Sequence, residues 1–365
     1  MPTPYRNFAF LLTAAALAAA CSDDGTSFQN PQELSCDLDM RFLASGGVGI
    51  DAIPALTNPG AVGIDDPAVA FIEEENRVVG IILNGEPIAI PHNVLWWHEI
   101  VNLDAGGTRV AVTYCPLTGT SMGFDRAKAD GAELGVSGLL FQSNLVMYDR
   151  NRPDISHWPQ IMGESRCGPR TGTSLDAVAV LETTWAGWKS LHPNTRVIFG
   201  DPRGGNRDYR IFPYGNYEDL HNPLFFEPFP DLDNRRPPKE RVLGIPGRNG
   251  DLATAFPFND LDEEGSLTAR HLTHGGEEIV VLWDGVREGA MAYKARVNGA
   301  PVTLAPDGID GFRDVETGSL WLLNGRAVEG PMAAQGAMLE PVADAIVAFW
   351  GAWAAFHPES QVDLH

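Results

Sequence analysis

The chain is short of cysteine, short of cations and short of long apolar runs, and each shortage removes a class of function. Its 365 residues carry 26 Lys and Arg against 48 Asp and Glu, a formal net charge of -22, and no cluster of basic residues interrupts that excess. Nucleic acid and anionic lipid surfaces need a basic patch or stripe, so neither is an electrostatic partner. The acidity itself speaks for solubility. After the first twenty residues no apolar stretch is long enough to span a bilayer. Only four cysteines occur, at 21, 36, 115 and 167, too few for a disulfide scaffold.

What is present at the start is an address. Arg6 is followed by a run from Phe8 to Ala20 whose one polar residue is Thr13, and then by Cys21. A basic residue, a short apolar core and small residues before the cut form a secretory signal over residues 1–20. "LAAAC" resembles the lipobox of bacterial lipoproteins, with Ala18 where Leu is commoner, and makes Cys21 the expected site of lipidation. The expected location is the cell envelope, the chain held at a membrane by its lipid; Ser22 after the cysteine favours the outer membrane.

Internal echoes organise the rest. "RVVGIILNGEPIAIP" from Arg77 returns as "RVLGIPGRNGDLATAFP" from Arg241, and "GGTRVAVTYC" returns as "GGEEIVVLWD". "TWAGWKSLHPNTRV" and "FWGAWAAFHPESQV" place two tryptophans and a His-Pro pair at a constant offset of 165 residues. The pattern reads as a tandem duplication. The expected divisions are an N-terminal arm 21–71, a first unit 72–200, a Pro- and aromatic-rich connector 201–235 and a second unit 236–365. Val- and Ile-rich runs between Gly, Asn and Asp turns predict a mainly β fold of the α+β class, with only the Trp-x-x-Trp segments helical and closing each unit.

Residues that both units keep are expected to be architecture, and those that one unit alone carries are free for chemistry. His192 and His357 fall in the first group, each at a helix end before Pro. Cys115, opposite Asp284 in the echo, and the pair His98 and Glu99 in "LWWHEIVN" fall in the second. A thiolate and an imidazole bind copper or zinc, and the same pair can make a nucleophilic cysteine. The separation of 17 residues between His98 and Cys115 closes only if the "GG" turn folds two strands back antiparallel. The plain alternative is a buried cysteine that packs.

Once Cys21 is lipidated, three cysteines remain, so at least one is unpaired within the chain. Cys36 in the extended arm and Cys167 in a Gly-Pro turn are the favoured pair, leaving Cys115 free; a Cys115–Cys167 redox pair is the competing arrangement. Met122, Met147 and Met162 have thioethers that copper accepts but read as core filler. "DGIDGFRD" lacks the alternate acids of a calcium loop, and "GTSMG" around Ser121 lacks the pattern of a nucleophile elbow.

"DAIPALTNPG", "LWWHEIVN", "VTYCPLTGTSMGFDR", "GVSGLLFQSNLVMYDR", "HWPQIMGE" and "TWAGWKSLHPNTRV" occur in order, with "YGNYED" and "DVETGSLW". Together they resemble the bacterial and archaeal family called domain of unknown function 3179, from about Asp51 to the C-terminus. The resemblance implies a secreted or membrane-anchored protein and no established activity. Many members are similar in carrying a second cysteine three residues after the first; this chain has Thr118 there, which removes a local Cys-x-x-Cys knuckle.

Two functions of different class follow. One is a periplasmic metal-binding or thiol-redox protein using Cys115 with His98, the metal being copper or zinc. The other is a noncatalytic envelope lipoprotein that holds a small molecule or a protein partner in grooves between its units.

Overall fold

The computed structural model describes residues 29–201, 207–309 and 311–363, so the signal segment and Cys21 lie outside the described residues. The fold is mainly β, as the strand and turn pattern predicts. Arg77–Leu83 and Glu86–Pro91 form a hairpin over Asn84 and Gly85, both at positive φ, which suits the right-handed twist of the flanking strands. Ile100–Ala105 and Thr108–Cys115 run antiparallel across Gly106 and Gly107, and Thr120–Asp125 adds a third strand. In the C-terminal half, Leu267–His274, Glu277–Asp284 and Gly289–Lys294 make a similar three-stranded sheet over Gly275 and Gly276.

The sheets do not respect the divisions 72–200 and 236–365. A nine-stranded sheet runs from Leu56–Thr57 through Ile100–Ala105, Thr108–Cys115 and Thr120–Asp125 directly into Ile346–Phe349, Arg241–Ile245, Thr254–Pro257 and Gln361–Val362, with Asp176–Val178 paired to Thr120–Asp125 as the ninth strand off this path. The join is the pairing of Val347 with Ser121, reinforced by the Phe349 N–H donating to the Thr118 carbonyl at 2.9 Å. At the echoed position the Thr184 N–H donates to the Arg287 carbonyl at 3.1 Å. Each half thus gives a strand end to the other half's hairpin. An open sheet edge presents unpaired backbone groups, and this exchange covers two of them.

The Trp-x-x-Trp segments are helical over Trp185–Leu191 and Trp350–Phe356. Trp188 and Trp353 are buried, and their indole N–H groups donate to Thr195 Oγ1 at 2.9 Å and Ser360 Oγ at 2.7 Å. The structure adds helices the sequence reading lacked, at His92–His98, Phe258–Glu264 and Gly330–Ala334. The first two start after Pro91 and Pro257 and span seven residues each, too short a stretch to display a 3.6-residue periodicity.

Cys36 and Cys167 are bonded at an S–S distance of 1.99 Å across 131 residues, so the favoured pair forms and Cys115 is the free cysteine among the described residues. The bridge staples the arm to the four-stranded sheet built on Leu134–Phe141 and Asn144–Asp149.

The strand glycines Gly80 and Gly244 lie flat under the rings of Trp188 and Trp353, where an added Cβ would overlap the indole. We expect Gly80→Ala and Gly244→Ala each to cost about 1–3 kcal/mol in urea unfolding, the usual penalty of overpacking. Gly63→Ala, with open space around its Cβ, is the near-neutral control; equal effects at all three positions would remove the ring contact as the cause.

Candidate functional site

The hairpin Ile100–Ala105 and Thr108–Cys115 brings the backbones of His98 and Cys115 toward each other as the "GG" turn requires: Ile100 pairs with Thr113, and the Tyr114 N–H donates to the Glu99 carbonyl at 2.7 Å. The side chains part company. His98 is buried with Nδ1 2.7 Å from the Pro54 carbonyl and Nε2 2.8 Å from the Tyr209 hydroxyl. A carbonyl only accepts, so Nδ1 carries the proton and Nε2 accepts from Tyr209. Burial draws its pKa down to about 4, and the neutral ring has no lone pair left for a metal or a thiol.

Cys115 belongs to a core cluster that residues of both halves build, Trp158 and Phe124 from one and Trp350 and Trp353 from the other among them. It is 1% exposed, and its Sγ lies 3.8 Å from the Ser143 carbonyl. Burial, with the Glu99 carboxyl as second cause, pushes the thiol up to about 11, so it is protonated at neutral pH. Its electrostatic neighbour is therefore Glu99 and not His98. Thr118, in the place of a second cysteine, is occupied by hydrogen bonds from Asn144 Nδ2 at 2.9 Å and Thr120 Oγ1 at 3.0 Å. Among the described residues no group of three or more His, Cys, Asp or Glu side chains could hold a metal ion.

Glu99 ends the helix His92–His98 in a left-handed conformation, φ 56°, with its N–H donating to the Leu95 carbonyl at 2.8 Å. Glu99 is 6% exposed, its carboxyl has no hydrogen-bond partner among the described residues, and burial pushes its pKa up to about 8. Above this pair lies the connector. Tyr217 donates to the Leu117 carbonyl at 2.9 Å, and the Lys239 ammonium donates to the Leu224 carbonyl at 2.6 Å. The same ammonium stands 3.4 Å from the Phe225 ring centre and 3.8 Å from that of Tyr217. Burial pulls Lys239 down to about 7, while the aromatic faces favour its charged form.

Two features escaped the sequence reading. The first is Glu182, a carboxylate with its side chain 1% exposed, 2.6 Å from Arg77 Nε, 3.5 Å from Arg241 Nε, 3.6 Å from His92 Nε2, and accepting from Ser121 Oγ at 2.5 Å. Burial works against its charge, and Arg77, His92 and Arg241 hold its pKa well below the usual range. Arg77 and Arg241 head the two "RV-x-G" echoes and were the available clue.

The second is a pair of clefts of about 290 and 360 Å³. The first is lined by Ile82, Leu181, Trp188 and His192 from the N-terminal half and by Met291, Tyr293 and Asn324 from the C-terminal half. The second is lined by Pro246, Ile346, Phe356 and His357 from the C-terminal half and by Met122, Phe124 and Met162 from the N-terminal half. Met147, the third methionine of the sequence reading, is fully buried elsewhere in the core.

These ionisations set the pH dependence of stability. Unfolded Glu99 releases its proton near 4.5 and native Glu99 near 8, so the native chain holds more protons between those values and stability falls as pH rises through them. His98, His157, His192 and His357 are drawn down to about 4 by burial. Their contribution is full above pH 6.5 and is lost as pH falls toward 4, because there the unfolded chain binds the extra protons. Glu99→Gln should therefore gain about 2–4 kcal/mol over the parent at pH 8.5 relative to its difference at pH 4.5. A difference that does not change with pH in urea titrations would show that native Glu99 is ionised throughout.

A family model described as "Protein of unknown function (DUF3179)" matches residues 50–360. No curated protein and no solved structure matches the chain. The matched span contains Glu99, Cys115, the Glu182 cluster, the connector and both clefts, and the chain belongs to the DUF3179 family.

Proposed function

We propose that this chain is a lipid-anchored envelope protein that binds a small molecule without transforming it, and that its two halves descend from a tandem duplication. The observation that carries the binding reading is the pair of clefts, each assembled from both halves with matching positions facing inward. His192 answers His357, Leu181 answers Ile346, Met291 answers Met122, and Tyr293 answers Phe124. The echoed sequence offsets and the reciprocal bonds at Thr184 and Phe349 support the duplication.

The chemistry at Cys115 favours binding over a redox or metal role. A reactive cysteine needs thiolate character and access. Cys115 is enclosed, protonated and, among the described residues, without a cysteine partner, since Cys36 and Cys167 are joined to each other. The bridge also supports life outside the cytosol, where disulfides persist. Envelope anchoring rests on the Phe8–Ala20 run and Cys21; an acyl chain contributes about 0.8 kcal/mol per buried CH₂.

Three measurements decide. Cys21→Ala should move the protein from the membrane to the soluble fraction, and unchanged retention removes the lipid anchor. A thiol reagent should label Cys115 only after denaturation, and the purified chain should hold no stoichiometric copper or zinc. Rapid labelling of the native protein, or bound metal that disappears in Cys115→Ser, would install the metal or thiol reading instead. Native mass spectrometry of the chain released gently from its own envelope should show a bound small molecule, and a bare chain counts against the binding reading.

A further inference from the structure

We infer that the two clefts are twin sites for an aliphatic molecule ending in an uncharged hydrogen-bonding group, such as an alcohol, ester or amide, one molecule in each. This rests on the binding reading and names its ligand class and its stoichiometry.

The walls specify the body of the ligand. Their volumes, about 290 and 360 Å³, lie at the small end of ligand sites; the first is walled mainly by aliphatic, thioether and aromatic groups, and the second combines such groups with the polar side chains of Arg166, Asp344 and His357. Methionine lines both, Met291 in one and Met122 in the other, and its unbranched thioether adapts to flexible chains.

The polar groups specify its end. Each cleft holds one imidazole laid on a tryptophan, His192 on Trp188 at 4.2 Å between ring centres and His357 on Trp353 at 4.1 Å. In the first cleft the only polar neighbour of His192 among the lining side chains is the Asn324 amide, at 3.4 Å. That cleft has no charged lining side chain. The second has Arg166 and Asp344 at its rim, and both are spoken for: Arg166 by Asp37 at 3.1 Å and Glu164 at 3.2 Å, Asp344 by Arg248 at 2.7 Å. Burial, and after it Arg326 from outside the lining, lower the pKa of His192 in the first cleft. Among the lining side chains a carboxylate or ammonium on the ligand would be desolvated with no unpaired countercharge, which is costly, while a neutral donor or acceptor suits imidazole and amide.

The clefts are also physically joined. One segment supplies Leu175 and Ala177 to the second cleft and then Val178 to Leu181 to the first; its echo supplies Leu339 and Pro341 to the first and Asp344 and Ile346 to the second. Ala177 lines only the second cleft and Ala179 only the first, and both are half-buried, so a bulky side chain at each position probes one cleft.

The test is calorimetric titration of the full chain with octan-1-ol, with octanoate and octylammonium as charged comparators. Two sites per chain are expected. Ala177→Trp and Ala179→Trp should each remove one site and keep the other, the retained site showing that the variant is folded. The double variant should bind none, and both charged comparators should bind at least about tenfold more weakly, a difference of about 1.4 kcal/mol. No saturable binding, binding unchanged by either variant, or a charged comparator as tight as the alcohol would overturn the assignment. A small molecule that co-purifies with the double variant would sink the clefts while leaving the binding reading intact; a bare parent chain that also ignores octan-1-ol would remove both.

Discussion

The carboxylate of Glu182 is the point on which both halves depend. It sits on the strand Leu181–Thr184, out of water, and draws Arg77 from one echoed strand and Arg241 from the other, with Ser121 Oγ donating to it from the strand that pairs with Ile346–Phe349. A lone buried carboxylate is prohibitively costly, and two guanidinium groups with a hydroxyl make it tolerable. Removing it would leave Arg77 and Arg241, both half-buried, without the carboxylate they share and, among the described residues, with only the longer ion pairs to Glu288 and Glu218 at 3.7 and 3.6 Å. Such a cluster is a weak source of net stability compared with apolar packing of the same volume, but it is selective, because one arrangement of the halves satisfies all its charges. Arg241 extends the cluster to Glu218 at 3.6 Å, and Glu218 accepts from Tyr114 at 3.0 Å, so the connector is held to the same centre.

With the halves locked in that arrangement, the placement of the remaining groups follows. The sheet continues from Thr120–Asp125 into Ile346–Phe349, and the connector is drawn across the end of Thr108–Cys115. Cys115 and Glu99 are then sealed in a space where neither ionises at neutral pH. Each of the two clefts is lined by residues of both halves. The packing of one half against the other that encloses the thiol also leaves these two clefts.

Much of this fold could be read in advance. Asn84-Gly85, Gly106-Gly107 and Gly275-Gly276 form the tight turns their composition demands, and the alternating runs beside them are strands. The odd count leaves at least one cysteine free, and Cys36–Cys167 is favoured over Cys115–Cys167 because the Gly-Pro turn at Cys167 needs a staple; it is the pair that forms. The candidate site was legible only as far as the backbone. The spacing of His98 and Cys115 does fold back antiparallel, yet a hairpin fixes which residues are neighbours along the chain and leaves the side chains to find partners elsewhere. His98 found Pro54 and Tyr209, at separations of 44 and 111 residues. Glu182 in "LETT" carried no local mark at all, since its significance lies in Arg77 and Arg241, 105 residues before it and 59 after it.

The sequence by itself determined the family, the mainly β character and the positions of the turns, because each depends on local backbone preference or on ordered motifs, while the odd cysteine count left the bridge open between Cys36–Cys167 and Cys115–Cys167. Tertiary structure alone decided that the echoed halves share a sheet, that Cys115 is a protonated core thiol beside Glu99, and that matching residues of opposite halves face each other across two clefts. Those outcomes rest on desolvation and on contacts that local backbone preference does not specify, and the free energy of burying a charge or an apolar side chain is set by its surroundings and not by its place in the chain.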